Sequence, residues 1–167
     1  MVVSVEELLI GKLSALLDRA AARDAWDVAN LQPAARDAMG SPRFRPYFIA
    51  MAATLTHPPS EYSESRLARL VTDRAVEEQL TPMLASAKAK AAGDLVRRSW
   101  AVVGPLVNLT DREQEFHAAI GRGDLRLELL FDSRSEDAAA LSTHPALLWK
   151  LMNVRQHVAK RQARTDT

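Results

Sequence analysis

The chain of 167 residues has the length of one domain, holds no cysteine, and sets 22 basic against 21 acidic residues for a formal net charge of +1. A domain of this size buries roughly 70% of the surface its unfolded form would expose, so it needs no disulfide or metal staple, and the lack of cysteine excludes a disulfide framework and thiolate metal sites. The charge balance gives no global argument for nucleic acid, no apolar run approaches the ~20 residues of a membrane span, and Met1-Val2-Val3 leads into Glu6-Glu7 rather than a secretory leader, so the expected location is cytoplasmic.

Alanine, leucine and arginine dominate, glycine is scarce, and apolar positions recur at three- and four-residue spacing. This is the pattern of amphipathic helices and predicts an all-α fold, a single helical domain over residues 1–167 with regions at 1–31, 32–109 and 110–167. Val2 and Val3 read as the remnant of a strand. Ser4-Val5-Glu6-Glu7 reads as a capping box that opens a helix near Val5, with Leu8, Leu9, Leu13, Leu16 and Leu17 as its apolar stripe. Pro33 closes this region by disfavouring helix at Gln32. Gly40-Ser41-Pro42 breaks the chain, Tyr47 to Leu55 suits a buried helix, and His57-Pro58-Pro59-Ser60 is a loop. A helical hairpin is expected next, with arms from Glu61 to Thr72 and from Asp73 to Leu84. Ala85 to Val103 is a longer helical pattern, ended or kinked by Gly104-Pro105. Thr110-Asp111-Arg112-Glu113 is a second capping box, opening a helix that Gly121-Arg122-Gly123 ends. Short helical pieces at Leu125 to Phe131 and Ser135 to Leu141 precede a last helix, with Thr143 or His144 at its N-cap and Pro145 at its first position.

Charge is uneven along the chain. Residues 1–30 hold five acids against three bases, whereas Lys150 to Thr167 hold five bases against Asp166 alone, so the C-terminal tail is basic and solvated. Lys12, Arg19, Arg23 and Asp27 fall at i, i+7, i+11 and i+15, within about 80° of arc on one unbroken helix. There Lys12 and Asp27 would stand ~22 Å apart at 1.5 Å per residue, too far to share a phosphate. A joint site needs a turn near Arg19 to Arg23, where Ala20-Ala21-Ala22 argues for continued helix but Asp24, as an N-cap with Asp27 at N3, argues for a new start. The competing reading is a charged surface stripe with i,i+4 pairs such as Arg23 with Asp27. His57, His117, His144 and His157 lack metal-ligand spacing and read as turn, cap or surface residues. No metal ligands are predicted, and Trp26, Trp100 and Trp149 fall at apolar helical positions that suit a core.

Two blocks of sequence carry a resemblance. "SVEELLIGKLSALLDRAAARDAWDVANL" resembles the segment that follows the catalytic sheet in the AbiEii/AbiGii toxin family of nucleotidyltransferases. "LTDREQEFHAAIGRGDLRLELLF", followed by "HPALLWKLMNVRQH", resembles that family's C-terminal region. The resemblance implies a toxin of a type IV toxin–antitoxin or abortive-infection system with a polymerase-β-like core, transferring nucleotides from NTP to RNA, the tRNA 3′ end in relatives. It implies a cognate antitoxin. It also implies that Lys12, with Arg19 and Arg23, contacts nucleotide or RNA phosphates, and that Asp27, with Asp24 beside it, belongs to the catalytic wall. The family's Gly-Ser turn and Mg²⁺-holding Asp-x-Asp should precede the Ser4 cap, and the sequence contains no Asp-x-Asp. The chain therefore reads as the C-terminal helical portion of such an enzyme, inactive alone, with Mg²⁺ and NTP expected only alongside the missing N-terminal portion or a separately encoded chain. The alternative is a non-catalytic helical module that binds a protein or RNA.

Overall fold

The computed structural model describes residues 4–84, 91–132 and 134–165, and the strand remnant expected at Val2-Val3 lies outside them. Among the described residues there is no strand, and the fold is all-α: α1 (Val5–Asp18), α2 (Ala22–Ala29), α3 (Pro33–Met39), α4 (Phe44–Ala52), α5 (Glu64–Leu70), α6 (Asp73–Gln79), α7 (Ala92–Val107), α8 (Asp111–Gly121), α9 (Glu136–Ser142) and α10 (Pro145–Thr165). The chain divides into two compact units, Met1–Arg45 with Leu55–Asn108, and Pro46–Thr54 with Leu109–Thr167.

In the first unit α2 packs against both α1 and α7, and α5 also lies on α7. The buried face of α2 is Ala22, Ala25, Val28 and Ala29, small side chains that let its neighbours approach closely, and Leu13, Leu16, Leu95 and Val103 fill the space around them. The Ser4 box forms as expected: the Glu7 amide donates to Ser4 Oγ at 3.1 Å and the Ser4 amide to Glu7 Oε2 at 3.0 Å. Both hairpin arms are shorter than expected: Ser63 caps the first, accepting from the Arg66 amide, so that it starts at Glu64, and the second starts at Asp73 as expected, with Thr72 accepting from the Ala75 amide, but ends at Gln79. Pro33 does keep Gln32 extended, but it also opens α3 from its first position, an element the sequence reading did not contain. Gly104-Pro105 does not end α7, which runs to Val107. Pro105 sits in the last turn, where one lost backbone bond is tolerated, and Arg45 donates to the Pro105 and Asn108 carbonyls at 3.0 and 2.9 Å.

Between α1 and α2 the chain reverses over three residues. Ala20 takes a φ of 51°, a left-handed conformation that costs a residue with a Cβ roughly 1–2 kcal/mol. The contacts of two carboxylates, Asp24 and Asp18, offset that cost. Asp24 stands at the third position of α2 rather than at its N-cap, which is Ala21; its Oδ2 accepts from the Ala21 amide at 3.3 Å, half of a capping box, and its Oδ1 accepts from Arg19 Nη2 at 2.9 Å. Asp18, at the end of α1, accepts from the Thr56 amide at 3.1 Å and from the buried Tyr62 hydroxyl. Burial and that bond push the Tyr62 phenol far above its ordinary pKa, so it remains a donor.

The second unit packs α10 on α8 and α9 around Phe48, Ile49, Phe116, Leu141 and Leu147. Thr110 and Glu113 form the second capping box, and α8 ends in a Schellman motif with Gly123 at φ 81°. A side chain there would be strained at that φ and would force Arg155 to move, because a Cβ on Gly123 would stand 2.6 Å from Arg155 Cγ. His144 caps α10, its Nδ1 accepting from the Ala146 amide at 3.3 Å. His117 departs from its expected surface role: it lies largely buried on α8, bonded to the Ile49 carbonyl, and burial lowers its pKa from 6.5 to about 4 against the opposing pull of Glu113, with Lys150 also facing it. Trp149 also departs from expectation, being 64% exposed rather than core.

Two stability measurements check these contacts. Asp24→Ala should lower the unfolding free energy by about 1–3 kcal/mol in urea titrations, since it unpairs a buried cap and the Arg19 contact together. The unfolded chain protonates His117 near pH 6.5 while the folded imidazole resists until about pH 4, so stability present above that window should fall by about 3 kcal/mol across it. His117→Gln should remove that component of the pH dependence, and an unchanged profile would refute it.

Candidate functional site

The reversal at Ala20 folds α2 back along α1, and this brings together two side chains fifteen positions apart: Lys12 Nζ donates to Asp27 Oδ2. Both side chains are about half exposed, at 47% and 45%. They stand on the wall of a groove of about 310 Å³ whose apolar lining includes Val5, Leu8, Leu9 and Leu31, with Gln32 on its rim. That volume lies at the low end for small-molecule sites. Val5 and Leu8, 49% and 57% exposed, leave the apolar side of the groove open to solvent.

The five residues singled out from sequence thus fall into separate roles. Lys12 and Asp27 form one pair facing the groove. Arg19 and Asp24 form a second, in which the Asp24 carboxylate is buried and committed to the turn. Arg23 is exposed with no hydrogen-bond or ion-pair partner among the described residues, so the i,i+4 pair with Asp27 does not form. What holds Asp27 in place was not visible in the sequence. Arg98, on α7, donates through Nη2 to the Ala29 carbonyl at 2.6 Å and to Asn30 Oδ1 at 3.0 Å, while Asn30 Nδ2 donates to the Trp26 carbonyl at 2.8 Å. These bonds satisfy the C-terminal carbonyls of α2 and fix the helix that carries Asp27. A single arginine some seventy residues downstream carries no local signal of that partnership.

An exposed lysine–carboxylate pair is worth at most about 1 kcal/mol, so an anionic ligand can displace the carboxylate from Lys12 at small cost. The cluster suits a phosphate better than a metal. Asp24 and Asp27 are each engaged by a cation, and among the described residues no group of three His, Asp or Glu side chains converges as metal ligands, so the residues present do not fit a Mg²⁺ site. Among the described residues no helix is long and apolar enough to cross a membrane.

The family described as nucleotidyl transferase AbiEii toxin, type IV toxin–antitoxin system, matches residues 1–103, a stretch that contains the reversal, the Lys12–Asp27 pair and Arg98. No curated protein and no solved structure matches the chain. The match spans more than half of the sequence, and the chain belongs to the AbiEii family of nucleotidyl transferase toxins of type IV toxin–antitoxin systems, a family that implies a cognate antitoxin.

Proposed function

We propose that this chain supplies one wall of a nucleotidyltransferase site that moves a nucleotide from an NTP to the 3′ end of an RNA acceptor, tRNA being the expected one. The observation that carries the reading is the Lys12–Asp27 pair, assembled on an open groove within the family-matched residues. Lys12 exchanges the Asp27 carboxylate for a phosphate oxygen of the NTP and neutralises its charge. Asp27, released from the lysine, accepts the proton of the acceptor hydroxyl as that oxygen bonds to the α-phosphorus and pyrophosphate leaves. Asp24 stands behind it, holding the turn through Arg19, and Arg23 offers a free cation beside it to nucleotide or RNA. The Mg²⁺ carboxylates belong to an Asp-x-Asp segment from outside these 167 residues, either an N-terminal portion or a second chain.

The test is transfer of labelled nucleotide to bulk tRNA in the presence of Mg²⁺. The 167-residue chain by itself should give none, and addition of the Asp-x-Asp-bearing portion of an AbiEii-family enzyme should restore it. In that reconstituted mixture Lys12→Ala or Asp27→Ala should lower the rate by at least about a hundredfold, with the far-ultraviolet circular dichroism unchanged. Robust transfer by the unaccompanied chain would show a metal site within it. Full activity of both variants would show that the roles given to Lys12 and Asp27 belong to other residues, and no transfer from the mixture would leave the non-catalytic helical binding module standing instead.

A further inference from the structure

An exposed tryptophan on a helix without an acid is the feature of the second unit that its own packing does not use. On α10, Leu147 and Leu151 enter the core, while Leu148, Trp149 and Met152 remain 46%, 64% and 49% exposed. From Pro145 to Arg161 the sequence has Lys150, Arg155, Lys160 and Arg161 and neither Asp nor Glu. At 100° per residue Trp149, Met152, Gln156 and Lys160 share one side of the helix within about 80° of arc, and at 1.5 Å per residue Lys160 stands about 16 Å along the axis from the indole. Lys160 and Gln156 are exposed. Arg155, also exposed, is anchored through Nε to the Gly123 carbonyl at 2.7 Å and so presents its guanidinium from a fixed position.

The pattern of this face decides between the anionic partners it could take. A protein helix laid along α10 would need apolar anchors over two or more turns, and a stable protein interface about 800 Å² on each side. Here the exposed apolar surface ends after one turn, and the same face continues as amide and cation. One aromatic platform with two flexible apolar side chains beside it, and cations spaced beyond them, is the arrangement that stacks a base and follows a phosphate backbone.

We infer that the exposed face of α10 is a docking surface for single-stranded RNA, with one base stacked on Trp149 beside Leu148 and Met152, and the adjoining phosphates met by Arg155 and Lys160. This rests on the reading of an RNA acceptor above, but it names a different surface, and it requires neither NTP nor Mg²⁺ to be observed.

The full 167-residue chain is titrated with a 12-nucleotide oligouridine and with bulk tRNA, following tryptophan fluorescence and the anisotropy of labelled RNA at several salt concentrations, with polyglutamate as a polyanion without bases. Quenching of the indole by RNA and not by polyglutamate is expected. Trp149→Ala should remove the quench and weaken oligouridine binding about tenfold. Lys160→Gln should weaken it severalfold and reduce the slope of log affinity against log salt by about 0.7. Both side chains are exposed, so thermal melts of the variants should match the parent. RNA binding unchanged in both variants, or equal binding of polyglutamate, overturns the proposal. So does Trp149-dependent self-association in sedimentation without RNA binding, which would assign the face to a protein. RNA binding without any reconstituted transfer would leave this surface standing and remove the transfer reading. Transfer with an unchanged KM for tRNA in Trp149→Ala would do the opposite.

Discussion

The first unit depends on one backbone conformation, the left-handed Ala20 between α1 and α2. Alanine is the residue that most favours continued helix, and at this position it occupies a region that disfavours any side chain. The contradiction is resolved by the charges on both sides. Asp18 terminates one helix by binding the Thr56–Tyr62 loop, and Asp24 begins the next by binding the Ala21 amide and Arg19. With the chain so reversed, the alanine face of α2 fits between α1 and α7, and Asp27 is set opposite Lys12. A straight helix would have left the same residues as an uninformative charged stripe.

The opposing pairs at this turn also differ in kind. Arg19 holds a buried carboxylate that completes a cap, so loss of either partner strands a polar group away from water. Lys12 holds a half-exposed carboxylate over an open groove, where water or another anion can take its place. Two aspartates three positions apart on α2 are thereby divided between maintaining the backbone and remaining available for exchange. Arg98 serves the second pair indirectly, by fixing the end of α2.

The fold class and the helix starts were legible because they rest on local chemistry. Ser4 with Glu7, Thr110 with Glu113, and Pro145 after His144 each specify a cap within four residues, and each forms as read. The spacing of Lys12 and Asp27 was visible too, but only together with a turn that propensity opposed, since half of the contacts that impose it come from Thr56 and Tyr62, far along the chain. Arg98 and the burial of His117 were illegible for the same reason, since their partners are Ala29, Asn30 and Ile49. Pro33 was read as a stop because the same residue that keeps its predecessor extended is also well placed to start a helix. Trp149 was assigned to the core by its neighbours Leu147, Leu148 and Leu151, although only Leu147 and Leu151 face inward.

The outward position of Trp149 depends in part on what Gly123 does for the second unit. Arg155 lies across the glycine so closely that its Cγ occupies the space a methyl group would take, and its Nε is bonded to the glycine's carbonyl. A helix packed only by leucines can roll about its own axis by exchanging one aliphatic side chain for the next. α10 would lose a bond by such a roll, because turning by one residue would pull Arg155 Nε away from the Gly123 carbonyl. The Gly123 backbone, at the end of a different helix, therefore acts as an index pin beside the buried Leu147 and Leu151, favouring the rotational phase of α10 that turns those two inward and Trp149 to the solvent.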